Sequence, residues 1–144
     1  MKIKLLATLV FLSFYFHINA QNSAVTVYDL KSEYLTNPIG LDTKKPRFTW
    51  KIKDQRRGAV QNAYQITVGK DSAKVASGQG SLWKTQKIKS DHQRVVYDGK
   101  KLQAFQKYYW SVTLWDKNDN KIKTSHLAHF QMGMMGMHNW KASW

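Results

Sequence analysis

Nine carboxylates are all the acid this 144-residue chain contains: Asp29, Glu33, Asp42, Asp54, Asp71, Asp91, Asp98, Asp116 and Asp119. They bound the chemistry it can do. General acid–base work needs two such groups aimed at one bond, and here most acids stand beside Gly, Asn or Ser, where a carboxylate turns or caps the backbone. None falls opposite another on one strand face. The nucleophile motifs are missing too: there is no cysteine, no Gly-x-Ser-x-Gly, no phosphate-binding glycine loop and no His-Glu-x-x-His pair. No catalytic residue is assigned, the chain alone is not expected to be an enzyme, and nothing calls for a cofactor.

One stretch has soft metal ligands. "HLAHFQMGMMGMHNW" sets His126, His129 and His138 among Met132, Met134, Met135 and Met137, and imidazole with thioether suits Cu(I). The spacing argues against chelation, because His126 and His129 lie three residues apart and point to opposite faces of a strand. A methionine-rich contact segment explains the run as well, and no metal site is assigned.

The aromatic residues are the remaining chemistry. In "YYWSVTLWDKNDN", Tyr108 to Asn120, Tyr108, Trp110, Val112 and Leu114 share one face, while Tyr109, Ser111, Thr113 and Trp115 share the other. Trp110 thus reads as core, as do Trp50 and Tyr64, whose parity matches neighbouring aliphatic residues. Trp115 lies opposite Trp110, and Trp83 sits in the lysine-rich "SLWKTQKIKSD". With Tyr109 and Trp140, these two are candidates to stack on a sugar or to meet another domain.

The elements that must position these rings are strands. "PRFTWKI" alternates Phe48, Trp50 and Ile52 with polar residues, and "AYQITV" does the same with Tyr64, Ile66 and Val68. "SAVTVYDL", "QRVVYDG" and "SHLAHFQM" add three more strands, and no helical period is expected beyond the N-terminus. The fold class is therefore all-β, an antiparallel sandwich of about seven strands. Without a disulfide, such a sandwich depends on large side chains, each burying about 150–250 Å².

The N-terminus has the layout of a secretory signal: Lys2 and Lys4, the apolar run Leu5 to Phe16, then "HINA" ending at Ala20. Residues 1–20 are expected to be removed on export to the periplasm or the extracellular space. The run is too short for a membrane span, which needs about 20 apolar residues, so no integral membrane span is expected after cleavage. Loss of its two lysines takes the formal charge from +14 to +12. A basic domain attracts polyanions. Export argues against nucleic acid, leaving acidic polysaccharides and anionic surfaces as the polyanions within reach, while a solvated lysine-rich face with no partner explains the charge more simply.

The order of "SEYLTNPIGLDTKKPRFTWKI", "QNAYQITV", "YYWSVTLWDKNDN" and "HNWKASW" resembles the N-terminal segment of bacterial α-L-rhamnosidases of glycoside hydrolase family 78. The resemblance implies an immunoglobulin-like or fibronectin type III-like sandwich, residues 21–133, followed by a linker and the start of a further domain, residues 134–144. Trp140 and Lys141 match the phrase that opens that next domain. Everything catalytic in the family would then lie beyond the matched segment. Two departures stand out. Where the family often has a Trp-Asp-Ser/Thr-Gly-Lys turn, this chain has Trp83, Lys84, Thr85, Gln86 and Lys87, which implies a looser hairpin. Where the family has Leu and a proline-bearing linker, this chain has Met134, Met135, Gly136, Met137 and His138.

Two functions follow as expectations. One is a non-catalytic accessory sandwich of an exported rhamnosidase, present as a fragment or truncated form, whose partners are the enzyme's following domains. An apolar tail such as "WKASW" favours it, since exposed tryptophans call for a cover. The other is a stand-alone carbohydrate-binding module for plant or acidic polysaccharide. An active enzyme ranks last, for want of a carboxylate pair.

Overall fold

The computed structural model describes residues 25–123 and 126–136. The expected signal at 1–20, and Met137, His138, Trp140 and Lys141, lie outside the described residues. The elements in chain order are β1 (Thr26–Ser32), β2 (Ile39–Leu41), β3 (Arg47–Lys53), β4 (Gln61–Gly69), α1 (Ser72–Ala76), β5 (Trp83–Lys84), β6 (Ile88–Lys89), β7 (Arg94–Val96), β8 (Lys107–Asp116), β9 (Lys121–Lys123) and β10 (Ala128–Met132). The six strands expected from alternation are β1, β3, β4, β7, β8 and β10. The other four have only two or three residues each, too few for a period of two to be visible.

Two sheets form. The smaller has the order β1-β3-β7 and is antiparallel. The larger has the order β2-β10-β8-β4-β5, with β6 also on β4 and β9 also on β8. All of its pairings are antiparallel except β2 with β10, which is parallel. β8 is its central strand, bonded to β4 along one edge and to β9 and β10 along the other.

The space between the sheets is filled as alternation dictates. β8 alternates strictly, with Tyr108, Trp110, Val112, Leu114 and Asp116 buried and the residues between them half-buried. Phe48 of the smaller sheet stacks on Trp110 with ring centroids 4.5 Å apart, and Trp50 packs on Tyr64 at 5.2 Å. Both indole N–H groups are satisfied: Trp110 Nε1 donates to Ser32 Oγ at 3.1 Å and Trp50 Nε1 to Gln61 Oε1 at 3.0 Å. The Gln61 amide nitrogen in turn donates to the Ser90 and His92 carbonyls, both at 2.9 Å. The buried polar groups thus tie the two sheets together, and among the described residues no buried side-chain donor is left unpaired.

Two details depart from expectation. A five-residue helix, α1, follows β4, although no helix was expected beyond the N-terminus. It is little more than one turn, so periodicity could not announce it. Its local chemistry is ordinary: the Asp71 carboxylate accepts from the Lys74 N–H at 3.0 Å, and Gly78 leaves the last turn at φ +83°. The Trp83–Lys87 run is not a hairpin turn either. β5 and β6 lie consecutively on one edge of β4, with Val68 opposite Trp83 and Tyr64 opposite Ile88. The pairing runs four residues along β4 and five along its neighbour, so the intervening Thr85–Lys87 stretch is a bulge. Thr85 pins it: its N–H donates to the Ile66 carbonyl and its Oγ1 accepts from the Ile66 N–H, both at 3.0 Å.

Candidate functional site: the outer face of the larger sheet

The outward residues of β8 and its neighbours form a surface with two ends separated by α1. Val75 of α1 is fully buried against this face, and Ser111 Oγ donates to the Val75 carbonyl at 3.3 Å. At one end, register aligns Lys121 of β9, Trp115 of β8, Ala63 of β4 and Lys89 of β6 in a single row. The Lys87 ammonium, delivered by the bulge, lies 5.0 Å from the Trp115 ring centroid, and that of Lys121 lies 5.9 Å away. Both are within cation–π range. Lys87 also pairs with Asp119. The small side chain of Ala63 leaves room in the row for the indole beside it.

The other end is apolar. Ile39 is 80% exposed and Phe105 60% exposed. They are joined through Gln131, which lies opposite Ile39 and whose amide nitrogen donates to the Phe105 carbonyl at 3.3 Å. Phe105 is held at φ +59°, and its N–H donates to the Gly133 carbonyl at 3.1 Å. Tyr109 and His129 pack together beside this patch, ring centroids 6.0 Å apart. Burial and the nearby Lys107 ammonium hold the His129 imidazole below its ordinary pKa, so it is neutral at pH 7.

Of the residues singled out from the sequence, Trp50, Tyr64 and Trp110 lie in the core. Trp115 and Tyr109 are half-buried on the outer face, at its cationic and apolar ends respectively. Trp83 faces inward from β5 and packs edge-on against Tyr97 at 5.3 Å, so it forms no surface with the other two. Trp140 lies outside the described residues.

The carboxylates are brought together in one place that sequence reasoning missed. Arg56 joins Asp54, with Nη2 to Oδ2 at 2.7 Å, to Asp116 sixty positions away along the chain, with Nη1 to Oδ2 at 3.0 Å. Asp54 and Asp116 line a cleft of about 340 Å³ with Val25, Gln61, Asp91 and Leu114. Burial alone would raise the Asp116 pKa, but the Asn120 and Asn118 N–H groups, the Asn120 amide and Arg56 together bring it below the usual value. Hydrogen bonding from Arg56 lowers that of Asp54. Two acids held by a shared guanidinium, one of them also by the Asn118 and Asn120 N–H groups, form a structural clamp. Among the described residues, no group of three or more His, Cys, Asp or Glu side chains could hold a metal ion, and no helix is long and apolar enough to cross a membrane.

A cysteine-free sandwich with a three-stranded antiparallel sheet, β1-β3-β7, facing a larger sheet centred on the long strand β8 defines an immunoglobulin-like domain. The family described as "Rha78A-like, N-terminal immunoglobulin domain" matches residues 27–136, and the chain belongs to it. It is 34% identical to an α-L-rhamnosidase of Formosa agariphila over 98% of its own length and 15% of that enzyme's. The fold superposes on an α-L-rhamnosidase of Dictyoglumus thermophilum with a TM-score of 0.78 and 37% identity, covering 81% of this chain and 13% of that one. An α-L-rhamnosidase of Streptomyces avermitilis, crystallised with L-rhamnose, gives 0.77 and 32%, covering 83% and 12%. This chain therefore spans about one-seventh of such enzymes, and what it matches is their small N-terminal domain, not the catalytic one.

Proposed function

We propose that this chain serves as the non-catalytic accessory sandwich of an exported α-L-rhamnosidase, with 1–20 as the export signal, 21–133 as the sandwich and 134–144 leading into a following domain. The carrying observation is the family match over 27–136 at a small share of the relatives' length. The apolar end of the outer face supports the bracing role. Ile39 and Phe105 lie where the chain leaves through Gly133, whose N–H donates to the Leu41 carbonyl at 2.7 Å, so a domain following directly after would meet them. An exposed aromatic beside an exposed Ile39 calls for a cover.

A second role is favoured by the charge: a formal +14 over the whole chain, +12 once residues 1–20 are removed, attracts acidic polysaccharide and keeps it near the enzyme. A stand-alone carbohydrate-binding module remains the alternative, and salt-resistant affinity for a neutral rhamnoside distinguishes it. The test of the non-catalytic reading is direct. The purified chain, incubated with an aryl rhamnoside across a range of pH, should release no rhamnose. Turnover abolished by a single substitution such as Asp54→Asn or Asp116→Asn would overturn it.

A further inference from the structure

We infer that the row Lys121–Trp115–Ala63–Lys89, with Lys87 beside it, is a binding site for the carboxylate-bearing sugars of a polyuronate. This deepens the acidic-polysaccharide reading above and rests on it. The row crosses four adjacent strands, β9, β8, β4 and β6, so its end residues are separated by about 14 Å at the usual strand spacing. That is the reach of a few sugars lying across the strands. Its middle is the half-buried indole of Trp115, apolar surface against which a pyranose C–H face packs, with the Ala63 methyl buried beside it, and its ends are ammonium groups for carboxylates.

The charge of the row is uncompensated. Lys87 pairs with Asp119, whereas no ion pair joins Lys121 or Lys89 to an acid among the described residues; Asp29, Glu33, Asp54, Asp98 and Asp116 are each paired elsewhere. Of the two ammonium groups drawn to one ring, Lys87 is answered by Asp119 and Lys121 is not. An anion beside Lys121 supplies the missing partner, and the ring keeps that lysine oriented before the ligand arrives. The β-bulge gives the arrangement its third cation: without the extra residue between β5 and β6, Lys87 would not be displaced from the regular ladder.

The probe is polygalacturonate, titrated into the purified chain in dilute buffer, with a fully methyl-esterified polymer and inorganic polyphosphate as companions. Binding to polygalacturonate is expected, with loss on esterification and weakening as salt rises. Trp115→Ala should weaken it about tenfold. Lys121→Gln, which leaves the ring and the fold in place, should weaken it roughly two- to fivefold. Polyphosphate should bind less well and ignore Trp115→Ala. Polygalacturonate binding untouched by both substitutions would overturn the site while leaving the broader polysaccharide reading standing. No binding at all in dilute buffer would overturn both, and equal sensitivity of polyphosphate to Trp115→Ala would reduce the row to a nonspecific anion contact.

Discussion

The two faces of β8 are made from the same ten residues and do opposite things. On the inner face, Tyr108, Trp110, Val112 and Leu114 are shut off from water, and the polar atoms they carry find partners inside: Trp110 Nε1 on Ser32, and the Tyr108 hydroxyl accepting from the Gln103 N–H at 2.8 Å. On the outer face, Tyr109 and Trp115 are only half-buried, and lysine ammonium groups lie over both rings, Lys107 at 5.4 Å from the first and Lys87 and Lys121 from the second. The lesson is that aromatic content does not mark a binding strand. What separates core from surface chemistry is parity together with the company each ring keeps across the neighbouring strands.

The difference is easiest to break from the inside. Phe48 stacks on Trp110 and touches Phe130 and Tyr97 as well, so Phe48→Ala should cost about 3–5 kcal/mol through lost burial and a residual cavity. Urea unfolding followed by tryptophan fluorescence would read it. A loss under about 1 kcal/mol would show that the inner face collapses freely around a missing ring.

A smaller effect probes the buried polar ties. Gln61→Ala strips Trp50 Nε1 of its acceptor and two carbonyls of a donor, a change expected to cost about 1–3 kcal/mol. Gln65 points outward, and its one side-chain bond is to the Thr85 carbonyl at 2.8 Å. Gln65→Ala should therefore cost clearly less. Equal losses would blur the distinction between faces.

Acid should weaken the fold through the carboxylates at its rim. Arg47 holds the Glu33 pKa below its ordinary value, Arg56 does so for Asp54, and the Asn120 and Asn118 N–H groups with Arg56 outweigh burial at Asp116. A carboxyl with a lowered folded pKa contributes stability above its unfolded pKa and loses it as pH falls through the folded value. The melting temperature should accordingly hold from neutral pH to about pH 5 and drop below about pH 4. In Asp116→Asn the protein should start less stable and lose less on acidification. A melting temperature flat through the acid range would mean the ion pairs add nothing to the folded state.

Much of this was legible in the sequence because the core strands are long enough to show a period of two. Phe48/Trp50/Ile52, Tyr64/Ile66/Val68 and the ten residues of β8 each declare which side faces in. The site was less so. Parity places Trp115 on the outer face, but not its lysines, because Lys87 and Lys121 belong to a bulge and a strand of three residues each and come near the ring only through sheet register. Likewise the Asp54–Arg56–Asp116 clamp joins acids sixty-two positions apart, a closeness no local pattern encodes. Trp83 misled for the opposite reason: polar neighbours suggested a surface, while its pairing with Val68 turns the ring inward.

The most direct test of the division compares two tryptophans five residues apart on one strand. Trp110→Ala and Trp115→Ala, unfolded side by side in urea, should lose about 3–5 kcal/mol and about 1 kcal/mol respectively, with the second retaining the native near-ultraviolet spectrum apart from one missing indole. Equal losses, or a larger loss at Trp115, would contradict the assignment of one face of β8 to the core and the other to the surface.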